Sequence, residues 1–182
     1  MNNALGMIET MSIPLGIQAG DAMLKAAEVE LVASQAACAG KYIVIVKGEV
    51  AAVRASVEAG KVSAGSSLVD SLIIPRIHEQ VAPAIEATSE IENIDALGIM
   101  ESYSMCAAIL AADAAVKAAA VNLIEVRLGR GLGGKAFVIL SGEVAAVRAA
   151  VEAAEALEET EGMFGASTVI PSPHKKIIEA IG

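Results

Sequence analysis

Apolar and polar positions along the first half of the chain spell out a compact series of elements. Leu5 to Glu9 is a short apolar run that stops at Thr10-Met11-Ser12, and Pro14 then falls in the first turn of a predicted helix reaching Ala27. Small residues at Gly16, Ala19, Gly20, Ala22, Ala26 and Ala27 suit that helix to close packing on a sheet, and Asp21 and Lys25 stand at i,i+4, the order that favours an ion pair. Val29 to Ala37 and Tyr42 to Lys47 read as strands, joined so tightly that they form a hairpin. Glu49 to Val62 is a second amphipathic helix with Val50, Val53 and Val57 on one face. Leu68 to Ile74 is a strand ending at Pro75, and His78 to Ala87 a short final helix. The order β-α-β-β-α-β-α predicts an α/β (α+β) fold of the ferredoxin-like kind, an antiparallel sheet with helices on one face.

The second half repeats the first. Ala4-Leu5-Gly6-Met7-Ile8-Glu9 returns as Ala96-Leu97-Gly98-Ile99-Met100-Glu101, and the octet GEVAAVRA from Gly48 to Ala55 returns unchanged from Gly142 to Ala149. Two tandem domains are therefore expected, 1–91 and 92–182, with Glu86 to Asp95 as the linker. The register between copies is 92 at Asp21/Asp113, Lys25/Lys117 and Val29/Val121, 94 at Lys41/Lys135, and 96 at Pro75/Pro171 and His78/His174. Each step is an insertion in the second copy, one where AACAGK (Ala36 to Lys41) becomes LGRGLGGK (Leu128 to Lys135) and one around Glu155 to Glu161. Strands and helices keep their length while loops change it, so any function that differs between the copies is expected in those loops.

Composition narrows the classes. Each copy, at about ninety residues, lies below the usual domain size, and such units gain from burying one another. Hydrophobic residues make up 55% of the chain and the mean hydropathy is +0.60, which suggests extensive subunit contacts. A membrane span is not expected, because Asp113 and Lys117 interrupt the Ala-rich stretch from Cys106 to Val121 before it reaches roughly 18 apolar residues. The opening MNNALGMIET lacks the basic region of a signal peptide, and a cytoplasmic protein is expected. A net charge of −9 with no Trp, two Tyr and two Phe argues against nucleic acid, which needs clustered cations and stacking aromatics.

Few residues carry candidate chemistry. Gly129-Arg130-Gly131-Leu132-Gly133-Gly134 satisfies G-x-G-x-x-G, but a strand from Lys135 to Leu140 follows it rather than a helix, so it is no dinucleotide fingerprint. As a loop, its glycines would let backbone amides face passing anions, with Arg130 adding charge. Cys38 and Cys106 do not occupy equivalent positions in the repeat and form no disulfide framework. Taken alone, Cys38 reads as a small buried thiol at a hairpin, and Cys106, aligned with Pro14, as a packing residue at a helix start. His78 and His174 recur at the same place after a Pro turn and read as structural residues of a helix start. No acid/base pair or activated nucleophile is shared by the copies, so an enzyme is not expected.

The LG.IE opening, the D...K.A...V helix, the G-K strand after a short loop, the GEV..V..A helix and the IP..H ending together resemble the bacterial microcompartment (BMC) shell proteins. The resemblance covers essentially the whole chain, twice over and in unpermuted order, and is nearest to the tandem-domain subunits of propanediol-utilisation shells. It implies a homotrimer that tiles as a pseudohexamer in a polyhedral shell, with other shell proteins and lumenal redox enzymes as partners. The loop between the second and third strands lines the central pore in that family. By position this is Ala37, Cys38, Ala39 and Gly40 in the first copy and Gly129, Arg130, Gly131, Leu132, Gly133 and Gly134 in the second. Lys25 and Lys117 match the edge lysine through which tiles meet, and Arg76 an edge arginine that the second copy replaces with Ser172.

Cys38 matches the cysteine that holds a [4Fe–4S] cluster in the tandem-domain subunit. On a three-fold axis, one cysteine per chain becomes three thiolates facing one point, enough for three irons of a cubane, so one cluster per trimer is implied. Small neighbours at Ala37, Ala39 and Gly40 would let the backbone approach it. The function so implied is a shell tile passing electrons through its pore. Two other readings stay open: a metal-free tile conducting small polar metabolites, and, since the topology serves many functions, a ferredoxin-like oligomeric sensor of a small molecule.

Overall fold

The computed structural model describes residues 4–89, 94–129 and 131–181. Its first strand, β1 (Ala4–Thr10), is buried along its whole length and lies in the middle of its sheet. It is followed by α1 (Ile13–Ala26), β2 (Glu30–Ala36), β3 (Tyr42–Gly48), α2 (Val50–Ala64), β4 (Leu68–Ile74) and the short α3 (Val81–Ile85). The second copy repeats this as β5 (Ala96–Ser102), α4 (Met105–Ala118), β6 (Val121–Leu128), β7 (Ala136–Gly142), α5 (Val144–Glu155), β8 (Phe164–Pro171) and α6 (Lys175–Ile181). The sheets run β2-β3-β1-β4 and β6-β7-β5-β8, with every neighbouring pair antiparallel. This is the ferredoxin-like arrangement expected from the element order.

Local chemistry explains the helix starts. Ser12 Oγ accepts a hydrogen bond from Leu15 N and Pro14 occupies the first turn of α1; Ser104 caps α4 in the same way, 3.2 Å from Ala107 N. The Asp21–Lys25 pair is formed, at 2.6 Å. Helix α2 lies directly on β1 because Gly6 has no side chain: a Cβ there would come within 2.5 Å of Val57 Cγ2 and 2.7 Å of Val53 Cγ1. Those two valines, with Ala4, Ile8, Ala19, Met23, Val44 and Val46, form the core of the first sheet-and-helix layer. Burying each valine contributes roughly 1.5–3 kcal/mol. Ser56, fully buried in α2, satisfies its hydroxyl on Met23 O of α1 at 3.1 Å.

The structure differs from the sequence expectation at element ends. Glu49 caps α2 rather than opening it, and the helix runs on to Ala64, where Gly65 at φ +54° ends it. The helix expected from His78 to Ala87 contracts to Val81–Ile85: a turn from His78 O to Val81 N precedes it, and Ala87 at φ +55° follows it. Both insertions lie in connections, as expected, the glycine-rich one between β6 and β7 and the acid-rich one between α5 and β8. By contacts the chain forms two compact units. One comprises Met1–Ile77 with Gly129–Gly134, the other His78–Leu128 with Lys135–Gly182. The glycine-rich connection thus packs with the first unit, and the segment holding α3 with the second.

Candidate functional site

The most distinctive local chemistry surrounds Cys38, in the connection from β2 to β3. Ala37 N donates to Lys41 O at 2.8 Å, closing a turn tight enough that Ala39 and Gly40 both take left-handed backbone, φ 61° and 75°. Gly40 adopts this freely, whereas Ala39 does so at a cost of about 1–2 kcal/mol. The partner segment is the glycine-rich connection. Gly129, Gly131, Gly133 and Gly134 have φ of 63°, 68°, 64° and 92°. A Cβ on Gly131, Gly133 or Gly134 would meet nothing within 4 Å, so handedness and not space selects glycine there.

These two segments meet at the cysteine. Cys38 N donates to Gly129 O at 2.6 Å, and Leu132 N donates to Cys38 Sγ at 3.3 Å. The half-buried thiol is held below its ordinary pKa, first by the amide of Gly134, then by that of Leu132, with smaller help from Gly133 and Gly131; partial burial opposes the shift. Successive amides turned inward by left-handed backbone make an anion-binding nest, and here the anion they favour is the thiolate itself. This corrects the expectation that these amides face passing anions. Of the expected loop residues, Ala37, Cys38, Ala39, Gly40, Gly129, Gly131, Leu132, Gly133 and Gly134 form the cluster; Arg130 lies outside the described residues.

A thiolate is the nucleophilic and metal-binding form of cysteine. In metal-free protein, alkylation of Cys38 by iodoacetamide is expected to reach half its maximal rate below the pH of about 8.5 typical of an unperturbed thiol. The lowered pKa keeps the reactive anion populated as pH falls. A rate profile centred at or above that value would show that the amides do not stabilise the anion.

A second feature frames the site and was missed in the sequence. Lys41, at the end of the cysteine turn, pairs at 2.5 Å with Glu9, whose carboxylate is almost fully buried in β1. Lys135, after the glycine-rich loop, pairs at 2.6 Å with Glu101 of β5, and its pKa is raised, chiefly by that hydrogen bond. The signal was available: Gly-Lys recurs at 40–41 and 134–135, and the glutamate at 9 and 101. Each pair ties the exit of a loop to the central strand of its own sheet.

The other candidates lie apart from this cluster. Lys25 is on exposed α1, paired with Asp21, and Lys117 is on α4, 2.5 Å from Asp113. Arg76 sits in the exposed turn after β4. Cys106 is buried in the first turn of α4, as expected of a packing residue. His78 and His174 act at helix starts: their Nδ1 atoms accept from Gln80 N at 3.4 Å and Lys176 N at 3.2 Å. Among the described residues of one chain, no group of three or more His, Cys, Asp or Glu is placed to hold a metal ion.

The repeat and the sheet order agree with what comparison finds. The BMC domain model matches residues 4–77 and again 96–173. The chain belongs to the family of bacterial microcompartment shell proteins. It is 41% identical over 177 residues to the bacterial microcompartment shell protein PduT of Citrobacter freundii, covering 97% of this chain and 96% of that one. It is also 32% identical to the carboxysome assembly protein CcmO of Synechococcus elongatus, across 98% of this chain and 68% of the relative. The crystal structure of a microcompartment protein from Desulfitobacterium hafniense superposes with a TM-score of 0.95 at 46% identity, covering 98% of this chain and 99% of that one. The shell protein is therefore a tandem of two BMC domains in unpermuted order, and no described helix is long and apolar enough to cross a membrane.

Proposed function

We propose that this shell protein is a homotrimeric tile in which three copies of Cys38 converge on the three-fold axis and hold one [4Fe–4S] cluster, through which electrons pass across the shell. The observation that carries the reading is the half-exposed Cys38 in its nest of amides, because a soft metal needs the thiolate and the nest favours the thiolate. The donor set fits: one accessible sulfur per chain, multiplied by three-fold symmetry, supplies three of the four cluster corners. The bound group would supply one-electron chemistry, while the chain's part is to hold the sulfur, donate hydrogen bonds to it from Leu132 and its neighbours, and limit water around it. Two kinds of loop would alternate around the axis, and Lys25, Arg76 and Lys117 would face neighbouring shell proteins at the tile edge, with lumenal redox enzymes as electron donors or acceptors.

Anaerobic purification with iron and sulfide analysis and EPR after reduction tests this. About four irons and four sulfides per three chains, with a reduced-cluster signal, are expected. No iron even after anaerobic reconstitution would overturn the cluster and leave a tile with a metabolite pore.

A further inference from the structure

Lys41 closes the cysteine turn twice over. Its carbonyl accepts from Ala37 N at 2.8 Å, which confines Cys38, Ala39 and Gly40 to a tight loop, and its ammonium pairs at 2.5 Å with Glu9. Strand geometry explains the reach. Glu9 of β1 stands opposite Ile43 of β3, and Lys41, two residues before Ile43, falls on the same face of the sheet as Glu9. Glu9 is a fixed anchor, because β1 is paired along both edges, with β3 and with β4.

The two copies treat this pair differently. The side chains of Lys41 and Glu9 are 23% and 4% exposed, whereas those of Lys135 and Glu101, their counterparts, are 42% and 37% exposed. A buried ion pair adds little to stability over an apolar pair of the same size, since desolvation offsets the attraction; what it does is penalise any geometry in which the partners separate. The buried pair stands at the turn that carries a cysteine, the exposed one at the loop that carries none. That turn also needs holding. Among the described residues of the two loops, Ala39 alone takes left-handed backbone without being glycine, and a residue stays in such a conformation only where its surroundings over-determine it.

We propose that Glu9 is a positioning residue for Cys38: through Lys41 it holds the strained turn shut, so that the sulfur has one direction before any metal arrives. The consequence for metal rests on the cluster reading above, whereas the clamp is a property of the metal-free chain. A ligand fixed in advance loses less freedom on binding, and in the proposed trimer three sulfurs fixed alike would present one site rather than three independent thiols.

The test removes both charges together, Glu9→Leu with Lys41→Met, since removing one leaves the other buried and unpaired. Val147→Ala, which truncates a fully buried side chain of α5, is the comparison for lost stability alone. In metal-free protein, hydrogen exchange read by NMR at Ala37 N–H and Cys38 N–H is expected to quicken at least about tenfold in the double variant relative to Val147→Ala. Lys41→Arg, which keeps the charge and the reach, is expected to leave both rates unchanged. In reconstituted protein, a chelator is expected to remove iron at least about tenfold faster from the double variant than from the native chain, and at the native rate from Val147→Ala. Unchanged exchange in the double variant would overturn the clamp. Quickened exchange with native iron retention, or equal iron loss from the double variant and Val147→Ala, would overturn the positioning of the sulfur. A native chain that takes up no iron would overturn the cluster reading instead, and the exchange rates would then decide the clamp by themselves.

Discussion

Replacing Cys38 by serine is expected to take the iron content of anaerobically reconstituted protein from about four per three chains to background, with the oligomer and its circular dichroism unchanged. The serine hydroxyl fits the same turn and can accept the same hydrogen bond from Leu132 N, so the loops keep their form. What it lacks is an accessible anion, since a hydroxyl is a far weaker acid than a thiol whose pKa the nest lowers, and oxygen is a harder donor than sulfur. In the proposed trimer symmetry would enlarge the effect, because a single substitution would remove all three protein ligands together. Cys106→Ala provides the contrast: that sulfur is buried in α4, and its loss should leave iron content unchanged while costing some packing. Iron retained by Cys38→Ser would place the ligands elsewhere.

Gly16→Ala is expected to destabilise the protein, against the usual helix preference. Alanine in a helix interior is worth up to about 1 kcal/mol over glycine. At this position, however, a Cβ would lie 2.5 Å from Tyr42 Cβ, 2.6 Å from Thr10 Oγ1 and 2.8 Å from Tyr42 Cδ1. Those atoms sit close to the backbone of β3 and β1 and have little room to give, so overpacking of about 1–3 kcal/mol outweighs the helix gain. The second copy shows how the conflict is relieved. Ala108 stands where the first copy has Gly16, and Ala136 where it has Tyr42, so the bulk has moved from strand to helix. Thermal unfolding should therefore show Gly16→Ala lowering the midpoint in the native background and lowering it less in a Tyr42→Ala background, which removes the contact at Cδ1 but keeps those at Cβ and at Thr10 Oγ1. An equal drop in both would mean that the Tyr42 ring is not part of what excludes the methyl group.

The sequence showed the architecture with little loss. β4 was read from Leu68 to Ile74 as observed, and the start of α1 followed from Pro14 in its first turn, because apolar period and turn residues act over a few neighbours. Errors fell at the ends, notably in α3, where the outcome depends on how a turn closes after His78.

The site was legible only in pieces. Cys38 could be singled out, and the glycines of 129–134 could be read as a loop whose amides are open to an anion. Their mutual purpose could not, since the Leu132 amide reaches a sulfur 94 residues away in the chain. The same holds for Lys41 on Glu9, Lys135 on Glu101, and Gln80 bridging the edge of β6.

By itself, then, the sequence determined the repeat, the order of strands and helices, and the residues able to take left-handed backbone, all of which are set by local sterics and hydrophobic period. The tertiary structure alone decided which amides point at Cys38 and which carboxylate holds each loop lysine. Those outcomes depend on the directions of bonds brought together from distant segments, and no local pattern encodes a direction in space.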